Sequence, residues 1–297
     1  MILAIVGPTG VGKSALAIEL AKSLKTDILS VDALQVYQGF NIGTAKVMPH
    51  EQQGITHHLL DHVDPREPYD VARYQNEARA LIKTHQAAQK PPLFVGGSGF
   101  YLKAVLHDYV FPPLRKEAPK VKETNEQRYE TLLRLDEDAA KNIHPNNRKR
   151  VEQAILKAEQ GQPLSTQSEG HQARYPYLIV GLRKDRATLY EQVNARVDQM
   201  IERGLENEVA KLRTFAHPTA LEAIGYKEWR PYFEGTMDKA TVIETIKRNT
   251  RRYVKKQMTY FTRQLPVVWV DVETHSLKSL HDHVLALYLA KRHELKI

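Results

Sequence analysis

The chain has 297 residues, 42% hydrophobic and 26% charged, which is enough for a large core and too balanced for wholesale disorder. It contains no cysteine, which excludes disulfides and Cys-ligated zinc and fits a reducing compartment. The net charge of +8 suits a polyanionic partner, and no apolar run approaches the length of a membrane span.

Met1 leads directly into the apolar run Ile2-Leu3-Ala4-Ile5-Val6, which reads as a buried strand. No signal peptide is expected ahead of it, and the reading is a cytoplasmic protein. Gly7-Pro8-Thr9-Gly10-Val11-Gly12-Lys13-Ser14 follows, and then helical spacing from Ala15 to Lys22. Strand, G-x-x-x-x-G-K-S loop and helix together are the context a phosphate-cradling P-loop requires. Its glycines let successive N–H groups point at phosphate oxygens, and the helix dipole adds to that field. Lys13 supplies a point charge, and the Ser14 hydroxyl is placed to hold Mg²⁺.

Ile28-Leu29-Ser30-Val31 reads as a second strand ending at Asp32, followed by a loop with Gly39 and Gly43. Apolar spacing predicts a helix over Val71 to Gln89, broken by Pro91-Pro92. Leu93-Phe94-Val95 is a short strand ending in Gly96-Gly97-Ser98-Gly99, and Phe100 to Leu106 starts another helix. This rhythm predicts a parallel α/β sheet with right-handed crossovers. Ligands bind at the carboxyl ends of such strands, where Gly7–Ser14, Asp32 and Ser98 all lie.

Character changes at Phe111-Pro112-Pro113. Residues 115–174 are polar and read as an inserted all-helical subdomain, with helices over Glu123 to Leu135 and Arg148 to Glu159 and a break at Gly161-Gln162-Pro163. The core is then 1–114 plus 175–297. It resumes with a strand over Tyr177 to Leu182, then helices over Arg186 to Arg203, Leu205 to Leu212 and Lys239 to Thr262. A strand at Val267 to Val270 and a helix at Leu277 to Arg292 complete it.

Asp32 admits three roles: a Mg²⁺ ligand, a base acting on an acceptor, or a turn cap. A nucleotide hydrolase usually ends a further strand with a Mg²⁺-binding acid, but here Leu93-Phe94-Val95 ends in glycines and Ser98. The loop is thereby detached from ordinary nucleotide hydrolysis. Between Glu244 and Arg263 lie Lys247, Arg248, Arg251, Arg252, Lys255, Lys256 and Arg263 against one acid, which is most of the net charge. Helical spacing puts Arg248, Arg251, Arg252, Lys255 and Thr259 on one face near Tyr253, Tyr260 and Phe261. Arg148-Lys149-Arg150 opens a helix of the insertion. Solvated faces are the plain reading of either cluster, but both beside a P-loop point to RNA phosphates. His57, His58, Asp61 and His62 form a possible metal cluster, which nothing else in the chain completes.

Taken in order, the P-loop, Asp32-Ala33-Leu34-Gln35-Val36-Tyr37, Asn41-Ile42-Gly43-Thr44-Ala45-Lys46, His57-His58-Leu59-Leu60-Asp61 and Gly96 to Leu102 resemble the tRNA dimethylallyltransferase (isopentenyltransferase) family. Ile143-His144-Pro145-Asn146-Asn147 with Arg150, Ala223 to Glu228 and Thr250-Arg251-Arg252-Tyr253 continue the likeness. The resemblance implies a P-loop NTPase-like core with the helical insertion gripping the anticodon stem-loop. It implies transfer of a five-carbon group from dimethylallyl diphosphate to the amine of the adenosine 3′ to the anticodon. Asp32 is then the base, Ser98 orients it, and Arg196 joins Gly7–Ser14 on the diphosphate. Asp32, Ala33, Leu34, Gln35, Ser98, Lys149, Arg150, Arg252, Lys255 and Lys256 meet the tRNA, with Mg²⁺ as cofactor and a monomer as the expected form. Spacing alone also allows Arg196 an ordinary helix ion pair. Ala33, Ser98 and Phe100 stand where the family commonly has Ser, Thr and Leu, and the absence of cysteine matches its bacterial, zinc-finger-free form. Two rival classes are an ATP-dependent small-molecule kinase and a non-catalytic RNA-binding module.

Overall fold

The computed structural model describes residues 1–111, 123–161, 163–166 and 172–297. The chain divides into two compact units, one of Met1–Leu106 with Arg174–Ile297, the other of His107–Ala173.

The larger unit is built on a six-stranded parallel sheet. In chain order it contains β1 (Ile2–Val6), α1 (Lys13–Leu24), β2 (Ile28–Val31), β3 (His57–His58), α2 (Val71–Ala87), β4 (Leu93–Gly96) and α3 (Gly99–Leu106). The sheet order is β3-β2-β4-β1, continued past β1 by β5 (Tyr177–Arg183) and β6 (Val267–Asp271). Every pairing is parallel. β1 is buried along its whole length, as a strand covered on both faces must be. Its side chains alternate between two cores, Ile2, Ala4 and Val6 on one face and Leu3 and Ile5 on the other. The second face is covered by Leu16 and Leu20 of α1 and by Leu280, Val284 and Tyr288 of the C-terminal helix (Leu277–Glu294). The Tyr288 hydroxyl also donates to the Met1 carbonyl at 3.0 Å.

The smaller unit carries α4 (Asn125–Leu135), α5 (Glu137–Lys141) and α6 (Arg148–Glu159) around Leu132, Ala140, Val151 and Ile155. α4 begins later than its apolar spacing suggests because Thr124 caps it. The Thr124 hydroxyl accepts from Gln127 N–H, and the Gln127 side chain accepts from Thr124 N–H. Asn147, from the Ile143–Asn147 motif, caps α6. The expected boundary at residues 114–115, with Pro112 and Pro113, and the Gln162 part of the helix break lie outside the described residues.

The larger unit resumes with β5, α7 (Arg186–Glu202), α8 (Leu205–Leu212), α9 (Pro218–Leu221), α10 (Arg230–Phe233) and α11 (Lys239–Gln264). β6 and α12 (Leu277–Glu294) follow. The unit's expected strands and long helices are present to within two residues at their ends. β3, α9 and α10 have no counterpart in the sequence reading, because elements of two to four residues are too short to carry a period. Among the described residues no helix is long and apolar enough to cross a membrane.

Candidate active site

Register decides what shares the sheet's carboxyl edge. Val6 pairs with Gly96, and Gly96 pairs with Val31, so β1, β4 and β2 end level with one another. Gly7, Gly97 and Asp32 are the residues that follow. The phosphate loop, Ser98 and Asp32 therefore emerge side by side, and Ser98 N–H donates to Val31 C=O at 3.2 Å.

The loop's shape rests on its glycines. Gly7 has φ +143°, and a Cβ there would meet the Leu182 carbonyl at 2.6 Å. Gly12, at the start of α1, has φ +97°, and no side chain caps that helix. Among the described residues the first N–H groups of α1 thus have no side-chain acceptor, which leaves an anion-binding helix end. Ser14 is exposed at the same turn. The Lys13 ammonium folds back on the Pro8 carbonyl at 2.7 Å. Burial, and then the nearby Arg196 charge, push Lys13 down to about 7, against the opposing pull of Asp32.

Arg196, on α7, makes no ion pair and no hydrogen bond among the described residues. The ordinary helix ion pair is therefore not what holds it; its neighbour Asp198 pairs with Lys247 instead, at 2.7 Å. Burial lowers the Arg196 pKa, and the Asp32 charge partly offsets this. Two cations thus crowd one carboxylate, a local excess of positive charge suited to a polyanion.

Asp32 does act as a turn cap. Its Oδ1 accepts from Leu34 N–H at 2.9 Å and from Gln35 N–H at 3.1 Å. Oδ2 has no hydrogen-bond partner among the described residues. Burial raises the Asp32 pKa; the two N–H bonds and the Lys13 and Arg196 charges hold part of that rise back. One oxygen fixes the turn and the other is available for a proton. Ala33, Leu34 and Gln35 form that turn and are half-buried. The Gln35 amide donates to Thr44 C=O at 3.0 Å, so one of its two donors is occupied.

Polar groups far apart in sequence hold this edge together. Buried Gln257 of α11 accepts from Thr9 N–H at 3.2 Å and donates to Gly97 C=O at 3.0 Å, tying the phosphate loop to the end of β4. The Tyr253 hydroxyl, one turn earlier, lies near Ser98 and Gln257, and burial raises its pKa to about 12. The residue as a whole stays 37% exposed. Glu208 of α8 accepts from the N–H groups of Asn41, Ile42 and Gly43 and from the Tyr226 hydroxyl. Glu228 accepts from Gly225 N–H and the Asn249 amide. Lys46 is buried between Asp61 and the Tyr37 carbonyl. The Asn41–Lys46 and Ala223–Glu228 motifs are thus loop supports. Replacing Gln257 by Leu leaves the Thr9 N–H and Gly97 C=O without it, at a cost of about 1–3 kcal/mol. The expected result is a Tm lower by several degrees together with weakened diphosphate binding, read by thermal melts with and without diphosphate.

α11 exposes a narrower basic face than its spacing suggests. Arg248, Arg252, Lys255, Lys256 and Arg263 are exposed. Arg251 is half-buried and donates to the Asn194 side chain at 2.6 Å, so it serves packing against α7 and does not belong to that face. Lys247 is held by Asp198 and Glu244. Arg252, Lys255, Lys256 and Arg263 line an open groove of about 540 Å³ with Tyr260 among them. In the smaller unit Lys149 and Arg150 are exposed, whereas Arg148 pairs with Glu152 at 2.7 Å.

The possible cluster of His57, His58, Asp61 and His62 does not converge. His57 bonds the Ile55 carbonyl, His62 faces Glu77, Asp61 pairs with Lys46, and His58 faces Asp27.

A family model described as IPP transferase matches residues 35–264. A tRNA dimethylallyltransferase of Geobacillus thermodenitrificans is 42% identical over 286 residues, covering 91% of this chain and 90% of its own. The crystal structure of a tRNA delta(2)-isopentenylpyrophosphate transferase from Staphylococcus epidermidis aligns with TM-score 0.75 and 35% identity, over 98% of this chain and 99% of that one. A eukaryotic dimethylallyltransferase acting on tRNA aligns with TM-score 0.80 and 26% identity, over 96% of this chain and 77% of that one.

Proposed function

Because the chain belongs to the IPP transferase family, we propose that it is a tRNA prenyltransferase that moves the dimethylallyl group of dimethylallyl diphosphate onto the exocyclic N6 amine of the adenosine 3′ to the anticodon. The observation that carries the reading is one half-buried carboxylate, with a free oxygen, set beside Lys13 and the unpaired Arg196.

In the reaction the allylic C–O bond breaks and the diphosphate leaves with its electron pair. The amine nitrogen forms the new C–N bond and gives up a proton. N–H groups of the Gly10–Ser14 turn, the Lys13 ammonium and the Arg196 guanidinium face the charge that grows on the diphosphate. Asp32 Oδ2 takes the amine proton, and Ser98, held at the strand end by its N–H bond to Val31 C=O, orients the base. Adenosine reaches this edge by leaving its stack, and the exposed Tyr253 offers an aromatic surface to meet it. Mg²⁺ fits the donor set: the Ser14 hydroxyl has no hydrogen-bond partner among the described residues, and a hydroxyl with diphosphate oxygens is the hard set this ion takes. When bound it would neutralise part of the diphosphate charge.

The kinase reading rests on the phosphate loop alone. The direct test incubates an unmodified anticodon stem-loop with the protein, Mg²⁺ and dimethylallyl diphosphate and reads its mass. Gain of one five-carbon unit on the adenosine is expected. An unchanged stem-loop, with ATP turned over on a small molecule instead, would overturn the proposal.

The exposed α11 cations and Lys149 and Arg150 are assigned to tRNA phosphates. Each phosphate contact releases counterions, so log affinity should fall steeply with log salt. Arg252→Ala or Lys255→Ala should weaken stem-loop binding whatever its sequence and shallow the salt slope by about one unit each. Arg251→Ala, whose side chain packs on Asn194, should leave that slope unchanged. Titrations at three salt concentrations separate the two outcomes.

A further inference from the structure

At the opposite end of the sheet from the phosphate loop lies a second group of polar residues. Asp27 immediately precedes β2, His58 ends β3, and His85 lies in the last turn of α2. One ligand atom from each lies within 4.8 Å of the other two. The His58 Nε2 is 3.5 Å from Asp27 Oδ2, and the His85 Nε2 is 3.7 Å from the same oxygen. β2 separates Asp27 from Asp32, so this group stands roughly 15 Å along the strand from the catalytic carboxylate.

His85 is the informative member. It is 3% exposed, and its Nε2 is buried with no hydrogen-bond partner among the described residues. Its Nδ1 lies 2.8 Å from the Leu81 carbonyl, so Nδ1 carries the proton and donates to it. In the neutral ring Nε2 therefore turns a lone pair toward a carboxylate oxygen, which is unfavourable unless a cation stands between them. A proton on Nε2 is one such cation, but a charge-assisted N–H···O bond is about 2.7–2.9 Å long, well short of 3.7 Å. A metal ion accounts for the longer spacing. Ligands at about 2.0–2.2 Å from a tetrahedral zinc stand about 3.3–3.6 Å apart, close to the two separations seen. The Leu81 carbonyl on the far nitrogen is the outer hydrogen bond that fixes a metal-binding histidine.

We propose that Asp27, His58 and His85 form a divalent transition-metal site that pins the last turn of α2 to the amino ends of β2 and β3. Two imidazoles and a carboxylate suit Zn²⁺ or Co²⁺ in place of Mg²⁺ or Ca²⁺. Asp27 and His58 are partly open to solvent, which supplies the remaining position as water. Lys90, 3.8 Å from Asp27 Oδ2 and 44% exposed, competes for that carboxylate and swings into solvent when metal binds.

The test titrates full-length, chelator-stripped protein with Zn²⁺ by calorimetry and with Co²⁺ by visible absorption. One Zn²⁺ per chain is expected, with tetrahedral Co²⁺ bands and a Tm that rises with Zn²⁺ concentration. His58→Gln, at a half-exposed position, should weaken binding at least tenfold while the metal-free variant melts as the wild type does. Lys90→Gln should tighten binding, since it removes a competing charge. Because His85 is buried, His85→Gln is read only beside these two. No Zn²⁺ bound at roughly 100 μM, or binding that His58→Gln and Lys90→Gln leave unmoved, overturns the proposal. So does NMR detection of a proton on His85 Nε2 in the Zn²⁺-saturated protein.

Discussion

Asp32→Asn is expected to lower kcat for prenyl transfer by about 10²- to 10⁴-fold, the scale of a positioned general base, and to leave stem-loop affinity unchanged. Asn is the informative substitution because Asp32 has two jobs on two oxygens. Oδ1 accepts from Leu34 and Gln35 N–H, and an amide oxygen can accept the same pair. The turn survives and only the proton acceptor is lost. Asp32→Ala would confound the two, since a lost cap alone costs about 1 kcal/mol. Burial raises the Asp32 pKa, so wild-type kcat/KM should fall on the acid side at a pH above the ordinary carboxylate value. That acid limb should be missing from the Asn variant. Single-turnover rates across pH decide it; a near-normal rate in Asp32→Asn would reject the base assignment.

How much of this could be read from the sequence depends on the range of the interaction concerned. The phosphate loop is local: its glycines, Lys13 and Ser14 sit within one strand–helix turn, and pattern alone places them. Asp32 and Ser98 are local to their strand ends, and parallel pairing does the rest, because Val31 and Gly96 must then lie level with Val6. Gln257 is different. Its partner Thr9 is 248 residues away, and nothing around Gln257 distinguishes it from other polar residues of α11. Glu208 and Tyr226 support the Asn41–Gly43 loop in the same way, from 165 or more residues away. Their one visible sign is the Ala223–Glu228 motif, whose chemistry only the fold explains. Arg251 shows the opposite failure. Helical spacing groups it with Arg248 and Arg252, but Asn194 on α7 draws it inward, and one turn of helix cannot report what another packs against. The histidines of 57–62 form a cluster only in sequence; they diverge because β3 and its flanking turn send each to a different partner. Asp27 and His85, which His58 does meet, lie 31 residues before and 27 residues after it.

Lys13→Ala is expected to slow transfer by about 10²- to 10³-fold, as when one donor to a developing oxyanion is lost, with stem-loop affinity unchanged. A second signature separates charge from shape. In the free protein burial and Arg196 hold the ammonium near 7, so above that pH it is mostly neutral. A diphosphate beside it favours the charged form and raises its pKa. Between the free and bound values, binding therefore takes up a proton, and affinity falls as pH rises, by as much as tenfold per unit. Below about 7 Lys13 is already charged in the free protein, and this contribution disappears. Dimethylallyl diphosphate does not mimic the effect in the upper window, because the second ionisation of its terminal phosphate, near pKa ~6, is complete there. Calorimetry at pH 8 in two buffers of different ionisation enthalpy should show net proton uptake on binding dimethylallyl diphosphate. In Lys13→Ala and Lys13→Met the uptake should vanish, and affinity should become nearly independent of pH from 7 to 9. Uptake that persists in both variants would move the titrating group away from Lys13, and its place on the diphosphate would go with it.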